Sequence, residues 1–160
     1  MSDSSVTIRP ARRDEARRLS ELALSSKAHW GYSAEFLAKV RDELSYRGEQ
    51  IESADMRFAV LEVDDDAVGF YALKLLPAPD VELDSLFVEP RFIGRGFGRK
   101  LIEHAKFIAC QLGARRMIIQ GDPYAEKFYI AAGGVLTGQR ESGSIPGRML
   151  PTFAIDLDAH

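Results

Sequence analysis

Between residues 83 and 112 the chain passes from a strand-like apolar run, Leu83 to Val88, to a helix-like run, Leu101 to Leu112. Three glycines alternating with larger residues, Gly94-Arg95-Gly96-Phe97-Gly98, make the passage. This junction constrains the fold more than any other segment. A glycine-rich turn that opens a helix lets backbone N–H groups approach an anion closely, and the helix dipole adds partial positive charge there. Residues 91–106 carry five basic side chains (Arg91, Arg95, Arg99, Lys100 and Lys106) against one acid, Glu103, in a chain of net charge −3. The loop therefore points to a phosphate-bearing ligand. The plain alternative is a glycine turn with a solvated basic face.

Spacing narrows the ligand. A P-loop requires Ser or Thr directly after its lysine, and Leu101 follows Lys100. A dinucleotide fingerprint requires G-x-G-x-x-G early in a βαβ unit, whereas these glycines read G-x-G-x-G past the middle of the chain. The arrangement resembles instead the acyl-CoA loop of the GNAT-type N-acetyltransferases, Gln/Arg-x-x-Gly-x-Gly/Ala after a strand ending Leu-x-Val-x-Pro. Leu86-Phe87-Val88-Glu89-Pro90 matches the strand end and Gly96-Phe97-Gly98 the glycine pair. Ile93 stands at the Gln/Arg position. A second match follows in order. Asp122-Pro123-Tyr124-Ala125-Glu126-Lys127-Phe128-Tyr129, then Gly133, resembles the family's N-x-x-A-x-x-(L/F)-Y-x-x-x-G, with Asp122 in place of Asn. Asp caps a helix as Asn does, with Pro123 at the first helical position and Gly133 near the end.

With 160 residues, 46% of them apolar and 28% charged, the chain suits one compact domain spanning 1–160. Its mild acidity implies no general affinity for nucleic acid. The single cysteine, Cys110, excludes an intrachain disulfide and a CxxC site, and His29, His104 and His160 lack metal-ligand spacing. No apolar run reaches membrane-spanning length and residues 1–7 lack a signal-peptide core, so a cytoplasmic protein is expected.

Alternation at Val6 and Ile8 predicts a first strand. Leu19, Leu22 and Ala23 mark a helix, and Ser33 caps a second one carrying Phe36, Leu37, Val40 and Leu44. Strands are expected from Phe58, from Val68 to Leu76 after an Asp64–Asp66 turn, and from Glu82 to Val88. Beyond the glycine loop come a helix, a strand at Met117–Gln120, a helix at Asp122–Ala132, and strands at Val135–Arg140 and Thr152–Leu157. The order β-α-α-β-β-β-α-β-α-β-β predicts an α/β sandwich, a central mixed sheet with helices on both faces. The resemblance implies the same architecture.

It also implies a chemistry: transfer of an acetyl group from acetyl-CoA to an amine, by direct attack in a ternary complex. Leu86, Phe87 and Val88 would pair with the pantetheine arm along a splayed strand edge. Ile93, Gly94, Arg95, Gly96, Phe97, Gly98, Arg99 and Asp122 complete the expected donor site. Tyr129 matches the tyrosine that protonates the departing thiolate. Glu82 lies where some members carry a glutamate base. From the residues themselves, Glu82 and Asp84 share a strand face, and two neighbouring carboxylates raise one pKa toward neutrality. The acceptor side is expected from His29, Trp30 and Tyr32, whose rings would enclose an amine or else pack the second helix, and from Arg148 in a glycine- and serine-rich loop. A small amine or amino-acid-like molecule is the expected acceptor. A protein N-terminus or lysine, or a non-catalytic acyl-CoA sensor, is the alternative, and a homodimer is a possible assembly.

Overall fold

A computed structural model describes residues 5–159. The elements run β1 (Val6–Pro10), α1 (Ala16–Ala28), α2 (Ala34–Val40), α3 (Gly48–Ile51), β2 (Met56–Val63), β3 (Asp66–Leu75) and β4 (Asp80–Val88). Then come α4 (Phe97–Gln111), β5 (Arg116–Gln120), α5 (Glu126–Ala131), β6 (Val135–Glu141) and β7 (Met149–Asp156). The strands form one sheet in the order β1-β2-β3-β4-β5-β7-β6. Only β4 and β5 are parallel; every other neighbouring pair is antiparallel.

Two apolar layers hold the helices to the sheet. On one face Leu19 and Leu22 of α1, Val40 of α2 and Ile51 of α3 pack with Phe58, Val60 and Phe70. On the other, Leu101, Ile102 and Ala105 of α4 and Tyr129 of α5 pack with Leu61, Tyr71, Met117 and Phe153. Strand β3 supplies both layers, Phe70 and Ala72 to the first and Tyr71 and Leu73 to the second, and is buried without a break from Ala67 to Leu73. Burying each such large side chain contributes roughly 1.5–3 kcal/mol. The sandwich with helices on both faces is the architecture the element order predicts.

Several boundaries differ from the sequence reading, each for a local reason. Asp66 joins β3, because Asp64 and Asp65 alone make the turn, both at positive φ (51° and 69°) as a two-residue hairpin turn requires. Helix α2 stops at Val40, yet Leu44 stays buried because its N–H still reaches the Val40 carbonyl at 3.2 Å. Helix α3 was not foreseen; it is one turn, closed by the Gln50 side chain on the Arg47 N–H at 2.7 Å. Helix α4 begins inside the glycine loop, because Gly96 at φ +83° forms its left-handed cap. The segment from Asp122 opens as a 3₁₀ turn, Pro123–Ala125, before α5. Among the described residues no helix is long and apolar enough to cross a membrane.

Strand β4 is irregular on both sides. Its pairing with β5 covers only Asp80, Val81 and Glu82 against Arg116, Met117 and Ile118. Strand β5 then continues along β7, so the two parallel strands part. On the other side, Ala72 opposes Ser85 and Leu73 opposes Leu83, leaving Asp84 as the extra residue of a bulge. Val81 and Leu83 before the bulge and Leu86 and Val88 after it all join the α4-side core, while Phe87 joins the opposite one.

The turn after α5 is tightly tied to Tyr129. A Cβ on Gly134 would lie 2.7 Å from the Tyr129 carbonyl oxygen, a backbone atom that cannot step aside. Gly134→Ala is expected to cost about 1–3 kcal/mol, read as a lower denaturation midpoint with an unchanged urea slope.

Candidate active site

The parted strands open a groove of about 390 Å³. Leu86, Phe87 and Val88 of β4 form one wall, and Ile93, Gly94, Gly96, Gly98 and Arg99 form one end. Asp122, Tyr124, Phe128 and Tyr129 close the other side. No protein acceptor among the described residues takes the backbone N–H groups of residues 94–99; the first one bonded within the helix start is Lys100, to Gly96 at 3.1 Å. Gly94 and Gly96 adopt φ of +88° and +83°, which only glycine takes without strain. Gly98 is small for another reason: a Cβ there would sit 3.2 Å from the Phe128 ring. The result is a row of unpaired donors at the start of a long helix, an anion cradle.

The basic excess of the loop is smaller than the sequence count. Arg91 pairs with Glu89 at 3.1 Å and Asp66 at 3.3 Å. Lys106 is 6% exposed, and its ammonium bonds the Ala132 carbonyl at 2.8 Å and Glu103 at 3.2 Å, so it clamps α4 to the end of α5. Arg95, Arg99 and Lys100 form no ion pair among the described residues, and of these Arg99 lines the groove. Arg95 lies over the Phe92 ring at 5.1 Å instead. Phe97 is likewise no groove residue; it packs on the core beside Phe92.

A second cavity, about 730 Å³, adjoins the groove and shares Lys27, Phe87 and Asp122 with it. Glu82 and Asp84 both line it, with Asp42 and Glu43 from the segment after α2, Lys39, Tyr46, Ser85 and Arg148. The paired carboxylates of β4 thus do face one space. The aromatic expectation fares differently. Trp30 lines the donor-side groove, stacked on Tyr124 at 5.5 Å. His29 packs edge-on against Trp30 and lines neither cavity. Tyr32 also lines neither: Phe36 stacks on its ring at 4.0 Å, and the cations over that ring are the chain's own Lys27 and Arg148. Its face is not open to an amine.

The acetyltransferase (GNAT) family profile matches residues 20–133. The chain belongs to the GNAT acetyltransferase family. No curated protein sequence matches it. The PaiA N-acetyltransferase of Thermoplasma acidophilum, solved with coenzyme A, shares 22% identity over 95% of this chain and 99% of its own, with a TM-score of 0.78. A chimera of Vibrio cholerae spermidine N-acetyltransferase SpeG and hSSAT shares 22% over 96% of each chain, with a TM-score of 0.74. The Escherichia coli ribosomal-protein-S18-alanine N-acetyltransferase shares 15% over 96% and 94%, with a TM-score of 0.71. At these identities the likenesses establish the fold.

Electrostatics separate the acetyltransferase's titratable groups. The Tyr129 phenol is pushed well above its ordinary pKa, first by burial and then by the Asp122 charge, so it remains protonated across the neutral range. Its ring is wedged between Phe128 and Phe153, and no protein group among the described residues takes its hydroxyl. Asp84 is raised, first by desolvation and then by the charge of Glu82. Glu82 is tied to Arg140 at 3.1 Å, and Arg140 in turn to Gln120 at 2.9 Å. Asp84 thus carries the raised carboxyl, while Glu82 is engaged in an ion pair.

Asp122 is the hub between the cavities. It accepts from the Tyr124 N–H at 2.9 Å as a helix cap, from Lys27 at 2.6 Å and from the Tyr32 hydroxyl at 2.9 Å, with Arg148 at 3.9 Å. Tyr46, Ser85, Asp42 and Glu43 escaped the sequence reading. Tyr46, Asp42 and Glu43 reach the site through contacts distant in the chain, and Ser85 gains its place only from the bulge at Asp84 and its partner Tyr46.

Burial alone would raise the Asp122 carboxyl, but Lys27 and the two hydrogen-bond donors hold it below its usual value. Its stabilising charge is fully present above the ordinary carboxylate pKa of about 3.9 and is lost as pH falls through the lower folded value. Asp122→Asn keeps a capping oxygen and removes that charge. Its melting temperature is expected to fall below wild type at pH 7, and the gap should close as pH drops below about 4, followed by circular dichroism.

Proposed function

We propose that the protein moves the acetyl group of acetyl-CoA to a primary amine of a small, positively charged acceptor, by direct attack in a ternary complex. One observation carries this reading: a groove with an anion cradle meets a carboxylate-lined cavity at Phe87, Lys27 and Asp122. Such a junction lets a thioester and an amine face each other. Of the wall carboxylates, Asp42, Glu43 and Asp84 have no ion-pair partner among the described residues, which favours a cationic acceptor. The solved neighbours include a spermidine N-acetyltransferase chimera and a ribosomal-protein-S18-alanine N-acetyltransferase. The wall supports the small cationic amine.

The donor roles derive from the groove. The N–H groups of residues 94–99, with Arg99, hold the pyrophosphate of CoA, and backbone contacts in the concave loop matter more than the side chain. The unpaired edge of Leu86, Phe87 and Val88 bonds the pantetheine arm and places the thioester near Tyr129. A backbone N–H of this stretch polarises the thioester carbonyl as charge gathers on its oxygen.

In the chemical step the ammonium of the acceptor first gives a proton to Asp84, directly or through one water. The freed nitrogen lone pair attacks the thioester carbon, a C–N bond forms and the C–S bond breaks. Tyr129 donates its proton to the departing thiolate. The amide nitrogen sheds its remaining extra proton as the intermediate collapses, and that proton restores Tyr129 through solvent. Asp84 releases its proton to water. The raised phenol makes Tyr129 a weaker acid than a free tyrosine. The same burial raises the basicity of the thiolate, since both are anions in a poorly solvated site, so the transfer stays nearly matched.

Tyr129→Phe should lower turnover by roughly 10²- to 10⁴-fold and leave acetyl-CoA affinity within about twofold, because the ring remains. Single-turnover rates and calorimetry check both; equal rates, with acetyl transfer limiting, would make Tyr129 a packing residue. Gly96→Asp should abolish acetyl-CoA binding through both left-handed strain and charge, whereas Arg99→Ala should weaken it only in part. A thiol-release screen across monoamines, diamines, amino acids and an N-terminal peptide identifies the acceptor, and a preference for anionic amines would count against the carboxylate wall.

A further inference from the structure

Beneath Asp84 lies a hydroxyl pair with no part in the acetyl-transfer steps. The Tyr46 hydroxyl and Ser85 Oγ are 2.7 Å apart, both residues are buried, and both line the acceptor cavity. Ser85 Oγ in turn lies 3.4 Å from Asp84 Oδ2. Tyr46 comes from the segment before α3, held in place by its N–H on Ser20 Oγ at 2.8 Å and by edge-on contacts with Phe58 and Phe70. The β4 bulge falls at Asp84, and Asp84 and Ser85 both line this cavity.

Only one arrangement of the two protons bonds both. The phenol has no acceptor among the described residues except Ser85, so it donates to Ser85 Oγ. Ser85 must then send its own proton elsewhere, and the acceptor beside it is the Asp84 carboxylate. Burial pushes the Tyr46 phenol well above its ordinary pKa, so it keeps the proton it donates throughout the neutral range. The 3.4 Å separation is long, as hydrogen bonds of a base often are before the substrate closes the site.

We propose that Tyr46 and Ser85 are positioning residues for the acceptor base, with Tyr46 donating to Ser85 and Ser85 donating to Asp84. This rests on the reading of Asp84 as the base. The pair does two things. It fixes the rotamer of a short side chain at a bulge, where the backbone alone leaves it loose. It also stabilises the ionised carboxylate against crowding by like charge, which keeps the base ionised until the acceptor ammonium arrives. Glu82 on the same strand and Glu43 after α2 raise Asp84, and Lys74 on β3 lowers it. Lys39 and Asp42 share its cavity, and Glu49 and Asp55 line a depression on its other side. None of these replaces the hydroxyl.

The test is an NMR titration of the Asp84 carboxyl carbon in the intact protein. Ser85→Ala should raise its midpoint by roughly half to one pH unit, since a bond to the charged form is lost. Tyr46→Phe should raise it less, and Ser85→Thr should restore it. An unmoved midpoint in a folded Ser85→Ala protein overturns the proposal, and a large stability loss with no change in titration shows a packing role only. Asp84→Asn separates the inference from the reading beneath it. If acetyl transfer to the acceptor found in the amine screen survives Asp84→Asn unchanged, Asp84 is not the base and the positioning role falls with it. If transfer is lost in Asp84→Asn but the midpoint stays put in Ser85→Ala, only the positioning role falls.

Discussion

The parallel pairing of β4 with β5 ends at Glu82 and Ile118, and the site depends on that ending. A parallel pair in the middle of an otherwise antiparallel sheet has to be reached by a crossover, here α4. The loop entering that helix must lie at the end of β4, beside the opening. The same separation leaves the β4 edge free and creates the gap that Tyr129 lines from α5. One topological event thus puts an anion cradle, a bare strand edge and a buried phenol around one groove.

Asp122 performs a related task with charge. Family members carry Asn at the matching place, according to the motif resemblance, and Asn would satisfy the cap equally well. The carboxylate additionally draws in Lys27 from α1 and Tyr32, and brings Arg148 from the loop before β7 within 3.9 Å. Elements from three parts of the chain are held at the boundary of the two cavities by a single side chain. A buried carboxylate serving this many partners is costly to desolvate, and the partners offset that cost.

What could be read from the sequence was what is local. The glycine loop and the second motif stand out in the sequence, though the helix begins at Phe97, four residues before the apolar run from Leu101 marks it. Charge was not. Arg91 and Lys106 looked like ligand cations because a count over residues 91–106 leaves out Glu89 two residues earlier and cannot see Asp66 and the Ala132 carbonyl that folding brings beside them. For the rings the sequence left two readings open, and folding decides between them at Tyr32, where Phe36 of α2 stacks on its face. The carboxylate wall joins β4 to residues about forty positions upstream, a juxtaposition that no spacing encodes.

The unpaired N–H groups of residues 94–99 have a thermodynamic side. In the free protein water must satisfy them, and the left-handed glycines keep them pointed outward at an entropic cost to folding. A ligand that takes them over binds the folded chain and not the unfolded one. Occupancy is thereby written into stability: at a hundredfold excess over its dissociation constant, such a ligand adds about 2.7 kcal/mol. With the donor role proposed for this loop, the protein is hardest to unfold when acetyl-CoA is plentiful.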